Sequence, residues 1–237
     1  MVNFNKNVAS AQREAVGFDE GLRSYMIQVY NYMAGGLAVT GLIAMLAASS
    51  EGLMQAIFGT PLQWVVMLAP LGLVFFLSFK INSMSFQAAQ ATFWIYAGLM
   101  GLSLSFIFLV YTGESIARIF FITAAVFGGM SLYGYTTKRD LTAMGSFLIM
   151  GLIGVILASI VNIFLKSSGL QFAVSILSVL IFTGLTAYDT QRIKQTYYAI
   201  AGAGESLGKA AIMGALALYL DFINLFIQLL HLFGQRR

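Results

Sequence analysis

The chain lacks cysteine altogether, and its 237 residues include one histidine, His231, and two prolines. Without cysteine there is no disulfide, no thiol nucleophile and no thiolate metal site. A single histidine disfavours a histidine-based metal centre within one chain. These absences disfavour several enzyme and metalloprotein classes, and we expect neither a cofactor nor a catalytic activity.

Charged side chains are also scarce. They make up 9% of the residues, whereas a soluble domain carries about a quarter because its surface faces water. Hydrophobic residues make up 59%, and the mean hydropathy is +0.84. The net charge of +4 is scattered, with no basic run of the kind that binds nucleic acid. Most of the surface is therefore expected to face a lipid bilayer.

The chain contains several long apolar runs. A helix needs about 20 mostly apolar residues to cross a bilayer, and seven runs meet that requirement. They predict an all-α polytopic membrane domain at residues 25–237, preceded by a cytoplasmic tail at residues 1–24. The tail mixes both charge signs and has no apolar centre, unlike a signal peptide, so we expect the first run to be retained as an anchor. The seven predicted helices are 25–48, 62–79, 88–111, 116–136, 144–165, 170–188 or slightly beyond, and 210–233.

The distribution of lysine and arginine predicts the orientation, because cytoplasmic connections are enriched in both. With seven crossings and the N-terminus inside, most basic residues lie in the cytoplasm and the C-terminus lies outside. Arg236 and Arg237 at the C-terminus oppose this orientation and leave open a six-crossing arrangement with a re-entrant last segment. The predicted cytoplasmic residues are Lys6, Arg13, Arg23, Lys80, Lys138, Arg139, Arg192, Lys194 and Lys209, and the outer ones are Arg118, Lys166, Arg236 and Arg237.

Two carboxylates fall within the apolar runs. Asp221 lies well inside the seventh, and Asp189 lies near the inner end of the sixth. An ionised carboxylate in hydrocarbon is costly, so such residues usually face the protein interior and have partners. Asp221, Asn224 and Gln228 are spaced i, i+3 and i+7, which places them on one helical face. This polar face predicts that the seventh helix lies inside the bundle.

The sixth and seventh helices are consecutive and antiparallel, so Asp189 can meet Asp221 if the sixth helix continues past Asp189. Two carboxyl groups in contact cannot both ionise cheaply, and they would share one proton. Protonated, the pair would form a hydrogen-bonded clasp. Ionised, it would repel itself and offer oxygen ligands to a hard cation such as Ca²⁺. Each aspartate can instead have a local structural role, and Asp189 has Arg192 at i+3 and Lys194 nearby.

Other seven-helix and two-aspartate classes fit less well. A retinal protein needs a lysine in the middle of the last helix, but Lys209 lies only at its beginning. An intramembrane aspartyl protease carries YD on one helix and GxGD on the next. The sequence "AYD" at 187–189 matches the first motif, whereas "LYLD" at 218–221 lacks both glycines of the second. The residues therefore favour a pH-gated cation pathway or a non-conducting regulator.

Three segments resemble one known family. "LYLDFINLFIQLLHLFG" (218–234) resembles the closing helix of the Bax-inhibitor-type (TMBIM) membrane proteins, and "FTGLTAYDTQRIKQ" (182–195) resembles the helix before it. "FFITAAVFGGMSLYGYTTKRDLTAMGSFL" (120–148) is similar to the bacterial branch of that family. The chain is accordingly identified as resembling a bacterial inner-membrane member of the family.

The resemblance implies a seven-helix fold with the last helix at the centre, and a pH-sensitive calcium leak. It implies that Asp189 and Asp221 form the pH sensor and gate and hold Ca²⁺ transiently. Related proteins hold the sixth-helix aspartate with an arginine at the end of helix two, where this chain has Lys80, so Lys80 and Arg192 are the candidate latches. A regulator of a membrane-bound protease or stress response is the alternative role. The candidate pore-lining residues are Asn224, Gln228 and Asn162.

Overall fold

The computed structural model describes residues 2–201 and 204–237, with the side chains of 20–201, 204 and 206–237. Within these residues the chain forms nine α-helices, one 3₁₀ turn at Ile81–Ser83 and no β-strand beyond a single bridge between Tyr111 and Arg236. The helices are α1 (Val2–Ala48), α2 (Glu51–Phe58), α3 (Leu62–Lys80), α4 (Phe86–Leu104), α5 (Ile107–Val110), α6 (Gly113–Thr136), α7 (Thr142–Leu165), α8 (Ser168–Ile200) and α9 (Glu205–Phe233).

Hydroxyl residues mark where several helices begin. The side chains of Ser50, Ser85, Thr112 and Ser167 each accept a hydrogen bond from the backbone N–H three residues further on. Each bond satisfies one of the backbone donors that a helix N-terminus leaves free. These capping residues lie in the short polar connections between the apolar runs, so the connections also define the helix boundaries.

Seven helical segments are long and apolar enough to cross a membrane, which confirms the predicted fold class. The last one, Ser206–Phe233, is continuous over 28 residues, or about 42 Å at 1.5 Å per residue. That length exceeds the hydrocarbon core of about 30 Å. The seven segments are Glu20–Ala48, Leu62–Ser83, Phe86–Val110, Gly113–Thr136, Thr142–Leu165, Ser168–Ile200 and Ser206–Phe233.

Two helical boundaries and one additional short helix differ from the sequence expectation. The backbone of α1 is already helical at Val2, within the tail expected at 1–24. The sixth membrane helix, α8, continues to Ile200 rather than ending near residue 188, because Ile193 and Tyr197 are buried against the bundle. The short helix α2 fills the connection between the first two crossings and buries Met54 and Ile57.

The last helix lies at the centre of the bundle. About 67% of the α9 membrane segment is buried, compared with 17% for α3 and 11% for α7. It packs against α1, α4, α6 and α8, whereas α3 packs on α4 and α7 packs on α8. The Thr40 hydroxyl on α1 donates to the Ala97 carbonyl on α4 (2.9 Å) and bonds to the Tyr219 hydroxyl on α9 (2.6 Å). These buried bonds join three helices where the surroundings are otherwise apolar.

Candidate functional site: an aspartate pair between two cavities

The structure brings Asp189 and Asp221 together. Because α8 continues past residue 188, it presents Asp189 to the neighbouring antiparallel helix, α9. The two carboxyl groups lie within hydrogen-bonding reach of each other. We refer to them as the aspartate pair.

The environment of the aspartate pair favours a shared proton. Asp221 is only 4% exposed, and its Oδ2 atom is buried without a hydrogen-bond donor among the described residues. A buried polar atom without a partner is costly. Two carboxylates cannot bond to each other, but a carboxylic acid donates readily to a carboxylate. A proton held between Asp189 and Asp221 would therefore satisfy the interior site.

Arg192 supplies the nearest positive charge. Its Nη1 atom lies 3.6 Å from Oδ1 of Asp189, one turn earlier on the same helix. The arginine side chain is 57% exposed and that of Asp189 is 15% exposed, so this ion pair links the buried site to a more open region. Lys80, the other candidate latch, lies exposed at the end of α3 and forms no ion pair with either aspartate in the described structure.

A cavity of about 600 Å³ lies on the side of the aspartate pair towards the C-terminus of α9. We call it the wide cavity. Residues of α7, α8 and α9 line it, and isoleucines of α7 form much of its wall. Its polar side chains are Ser159, Ser178, Asp189, Arg192, Asp221, Asn224 and Gln228.

A second cavity, of about 310 Å³, lies towards the N-terminus of α9. We call it the narrow cavity. Residues of α1, α3, α8 and α9 line it, including Tyr25, Ser78 and Thr196. It lies at the end of the bundle that the lysine and arginine distribution assigns to the cytoplasm.

The two cavities share part of their lining. Asp189, Arg192, Ala217 and Leu220 border both of them. The barrier between the cavities is therefore only about one side chain thick, and a carboxylate with its arginine partner forms part of it. We call these four residues the partition. Asp221 borders the wide cavity next to them.

The other predicted lining residues divide into two groups. Asn224 and Gln228 line the wide cavity. The Asn224 side chain donates to the Leu220 carbonyl at 2.8 Å, and Gln228 Oε1 is buried with no partner among the described residues. Asn162 is not among the residues that line either cavity.

Asn162 instead fixes the end of α7. Its Oδ1 atom accepts from the Ser167 N–H at 3.0 Å, and its Nδ2 atom donates to Gln171 at 3.2 Å. Both polar groups of the side chain are thus occupied by the connection to α8. Lys166, at the same connection, adopts the left-handed conformation with φ of 51°.

The partition residues Ala217 and Leu220 and the cavity serine Ser178 did not emerge from the sequence. Ala217 and Leu220 are ordinary apolar residues of a membrane helix. The only signal was their spacing of i−4 and i−1 relative to Asp221, which puts them near the acid. Ser178 donates to the Val174 carbonyl of its own helix at 2.7 Å, as hydroxyl residues commonly do in membrane helices.

The site offers little for tight metal binding. Within the described residues, no group of three or more His, Cys, Asp or Glu side chains could hold a metal ion together. Calcium usually takes six to eight oxygen ligands, whereas the aspartate pair supplies two carboxylates. Such a site would suit brief contact with a passing cation better than a resident metal ion.

Comparison with known proteins agrees with this architecture. A family model described as "Inhibitor of apoptosis-promoting Bax1" matches residues 22–237, which include all seven membrane segments except the first two residues of α1's segment. The chain belongs to the Bax inhibitor family. The resemblance inferred from the closing helices is therefore confirmed.

Relatives of this Bax inhibitor family member occur in several bacteria. An uncharacterized protein of Rickettsia prowazekii is 52% identical over 237 residues, covering 100% of both chains. The inner membrane protein YbhL of Escherichia coli K12 is 49% identical over 219 residues, 92% of this chain and 94% of the relative. An uncharacterized membrane protein of Streptococcus pyogenes is 38% identical over 221 residues, 92% and 95% of the two chains.

Proposed function

We propose that this family member is a pH-sensitive, calcium-permeable leak of the bacterial inner membrane, with Asp189 and Asp221 as its sensor and gate. The observation that carries the proposal is the partition, where the wide and narrow cavities approach each other beside the aspartate pair. The wide cavity lies towards the C-terminal end of α9 and the narrow cavity towards its N-terminal end. A small displacement at the partition would join them into a path along α9.

The protonated pair corresponds to the closed state. One shared proton lets Asp189 and Asp221 hold α8 and α9 together, and Leu220 then fills the space between the cavities. Arg192 neutralises the charge that remains on Asp189. A cation entering from either side meets an apolar side chain and a fixed positive charge.

Loss of the shared proton corresponds to the open state. Two carboxylates in an apolar interior repel each other strongly, so α8 and α9 would move apart at this level. The same deprotonation creates oxygen ligands for a cation between the cavities. Flux is therefore expected to rise as pH increases through the titration of the pair.

Calcium flux into liposomes tests this proposal. The full chain is reconstituted around an enclosed calcium dye and compared with Asp189→Asn and Asp221→Asn between pH 5.5 and 8. Asparagine donates a hydrogen bond without needing a proton, so either variant should hold the clasp closed. We expect flux at pH 8 to fall by about tenfold, a barrier change of roughly 1.4 kcal/mol, with little remaining pH dependence.

Asp140→Asn is the matched control, because it removes one carboxylate from an exposed turn that borders neither cavity. It should leak like the parent protein at every pH. The proposal fails if both pair variants leak like the parent with an unchanged pH profile. Thermal unfolding of each variant shows whether any lost flux reflects loss of the fold.

Purification of the parent protein from its membranes addresses the regulatory alternative. A parent protein that conducts no calcium at any pH, but co-purifies from membranes with a membrane-bound protease, would replace the leak with a non-conducting regulator. Calcium flux and protease co-purification are therefore both measured on protein from the same membranes.

A further inference from the structure

A third cavity lies away from the aspartate pair, between α1 and α6. It has a volume of about 720 Å³ and is lined by Arg23, Met26, Ile27 and Tyr30 of α1 and by Phe127, Gly128, Ser131, Leu132 and Tyr135 of α6. We call it the α1–α6 groove. Its rim residues Ile27 and Leu132 are 47% and 63% exposed, so it opens sideways towards the bilayer.

The groove has one charged end. Arg23 is its only charged lining residue and lies near the start of the first membrane segment, Glu20–Ala48. Tyr135 lies beside it, one residue before α6 ends at Thr136. In the described structure, Arg23 forms no ion pair. This end therefore lies at the membrane interface and carries a guanidinium with no ion-pair partner among the residues whose side chains are described.

Further along the groove, the hydroxyls of Tyr30 and Ser131 are hydrogen-bonded within the protein. The Tyr30 hydroxyl bonds to Ser131 Oγ at 2.5 Å, and Ser131 Oγ bonds to Thr190 Oγ1 at 3.0 Å. Thr190 in turn donates to the Thr186 carbonyl at 2.7 Å. Because this chain of bonds uses the hydroxyls of Tyr30 and Ser131, the groove interior at this level suits an apolar chain better than water or a polar ligand.

The length of the groove fits one membrane leaflet. From Arg23 to Tyr30 is seven residues of α1, or about 10 Å along the axis, compared with about 15 Å for half of the hydrocarbon core. A phospholipid has a phosphate at the interface and acyl chains that run along the membrane normal. That shape matches a cation at one end and an apolar channel below it.

We propose that the α1–α6 groove is a binding site for an anionic phospholipid of the leaflet in which Arg23 lies, with one acyl chain in the groove and the phosphate on Arg23. Charge complementarity selects the occupant, since a basic residue at an anionic membrane surface contributes about 1 kcal/mol, or roughly fivefold in affinity. The lipid bridges α1 and α6 at the point where Tyr30 and Ser131 already join them.

Gly128 allows the groove to be filled without disturbing the fold. A Cβ at Gly128 would meet no atom within 4 Å, and the same is true of Gly129, the next residue. Gly128 lines the groove and Gly129 does not. Gly128→Leu therefore blocks the site, while Gly129→Leu makes the same change of side chain and helix propensity outside it.

The experiment counts retained lipids by native mass spectrometry. The full chain is purified in detergent and titrated with phosphatidylglycerol or phosphatidylcholine. We expect the parent to retain one phosphatidylglycerol with roughly fivefold preference over phosphatidylcholine. Gly128→Leu should lose this bound lipid, and Gly129→Leu should keep it. Arg23→Gln should lose the preference, whereas Arg118→Gln, the same charge change on an exposed arginine at the other end of α6, should keep it.

Three outcomes would overturn the proposal. The first is equal retention by Gly128→Leu and Gly129→Leu, and the second is a parent with no headgroup preference. The third is a dimer that Gly128→Leu disrupts while lipid retention is unchanged, which would assign the groove to a second copy of the chain.

Discussion

Gly134 lies at a close approach between the backbones of α6 and α8. A Cβ at this buried position would overlap the Ala187 carbonyl oxygen, and it would come within 2.8 Å of the Ala187 carbonyl carbon. Ala187 precedes Asp189 by two residues, so this contact also sets how near α8 brings its aspartate to the rest of the bundle.

Gly134→Ala is therefore expected to destabilise the protein. The overlap involves backbone atoms, which cannot rotate away, and such overpacking typically costs about 1–3 kcal/mol. Gly129→Ala in the same helix has no atom within 4 Å of its Cβ, and it should be neutral or stabilising by up to about 1 kcal/mol. Thermal unfolding in detergent measures both, and equal melting temperatures would contradict the close-contact explanation.

Residue-level inference from the sequence singled out residues of unusual chemistry and passed over those of ordinary chemistry. Asp189 and Asp221 stood out because acids are rare in apolar runs. Asn162 is also a polar residue within an apolar run, but its role depends on how α7 ends and connects to α8. Only the three-dimensional structure shows that connection. Leu220 resembles every other leucine of its helix, so its place in the partition had no sequence signal.

At the scale of helices, Gln191 of α8 fixes the connection between α6 and α7. Its Oε1 atom accepts from the Leu141 N–H, and its Nε2 atom donates to the Arg139 carbonyl, both at 2.8 Å. The side chain is only 7% exposed, so these bonds are protected from water. They join three helices through one residue.

Gln191→Leu is expected to lower the free energy of unfolding by about 1–3 kcal/mol, because it leaves a backbone N–H and a carbonyl without partners. Gln87→Leu, at an exposed position of α4, makes the same change without that loss and should stay within about 0.5 kcal/mol of the parent. Denaturation of the purified protein distinguishes the two. A Gln191→Leu variant as stable as Gln87→Leu would show that the connection needs no such support.

The same connection gives a pH baseline for the flux measurements. Asp140 accepts from the Thr142 hydroxyl at 2.6 Å and from the Thr142 N–H at 2.9 Å, and these bonds lower the pKa of its carboxyl. A depressed folded-state pKa stabilises the fold fully above the unfolded value of about 3.9 and loses that effect as pH falls through the folded value. The charge of the Asp140 carboxylate therefore does not change between pH 5.5 and 8, which supports the use of Asp140→Asn as the control.

The helix boundaries were predictable where an apolar run met a capping hydroxyl, as at Ser85 and Ser167. The end of α8 was not, because Arg192 and Lys194 suggest a cytoplasmic loop. In the structure Lys194 donates to the Tyr135 carbonyl at 2.9 Å and lies over the Tyr135 ring, 5.1 Å from its centroid. The helix therefore continues beyond the apolar run by packing against α6, which is a tertiary effect.

For the whole molecule, the absence of cysteine makes the orientation directly measurable. Lys138→Cys, Gly169→Cys and Arg236→Cys each place one thiol at an exposed position in a chain that has no other. With the N-terminus inside, a membrane-impermeant maleimide added to spheroplasts should label Gly169→Cys and Arg236→Cys. Lys138→Cys should react only after permeabilisation.

Two other labelling patterns would contradict that orientation. Labelling of Lys138→Cys alone from outside would place the N-terminus outside. Labelling of Gly169→Cys without Arg236→Cys would favour the six-crossing arrangement, in which the last helix does not cross. That arrangement would also remove the proposed path along α9.

The thin partition has an electrical consequence. If water fills the wide and narrow cavities, the membrane potential falls across a few ångströms beside Asp189 rather than across the whole hydrocarbon core of about 30 Å. One elementary charge crossing a potential of 100 mV changes in energy by about 2.3 kcal/mol. A proton that reaches the aspartate pair from one side would then cross part of this drop, so voltage would shift the pH at which the pair opens.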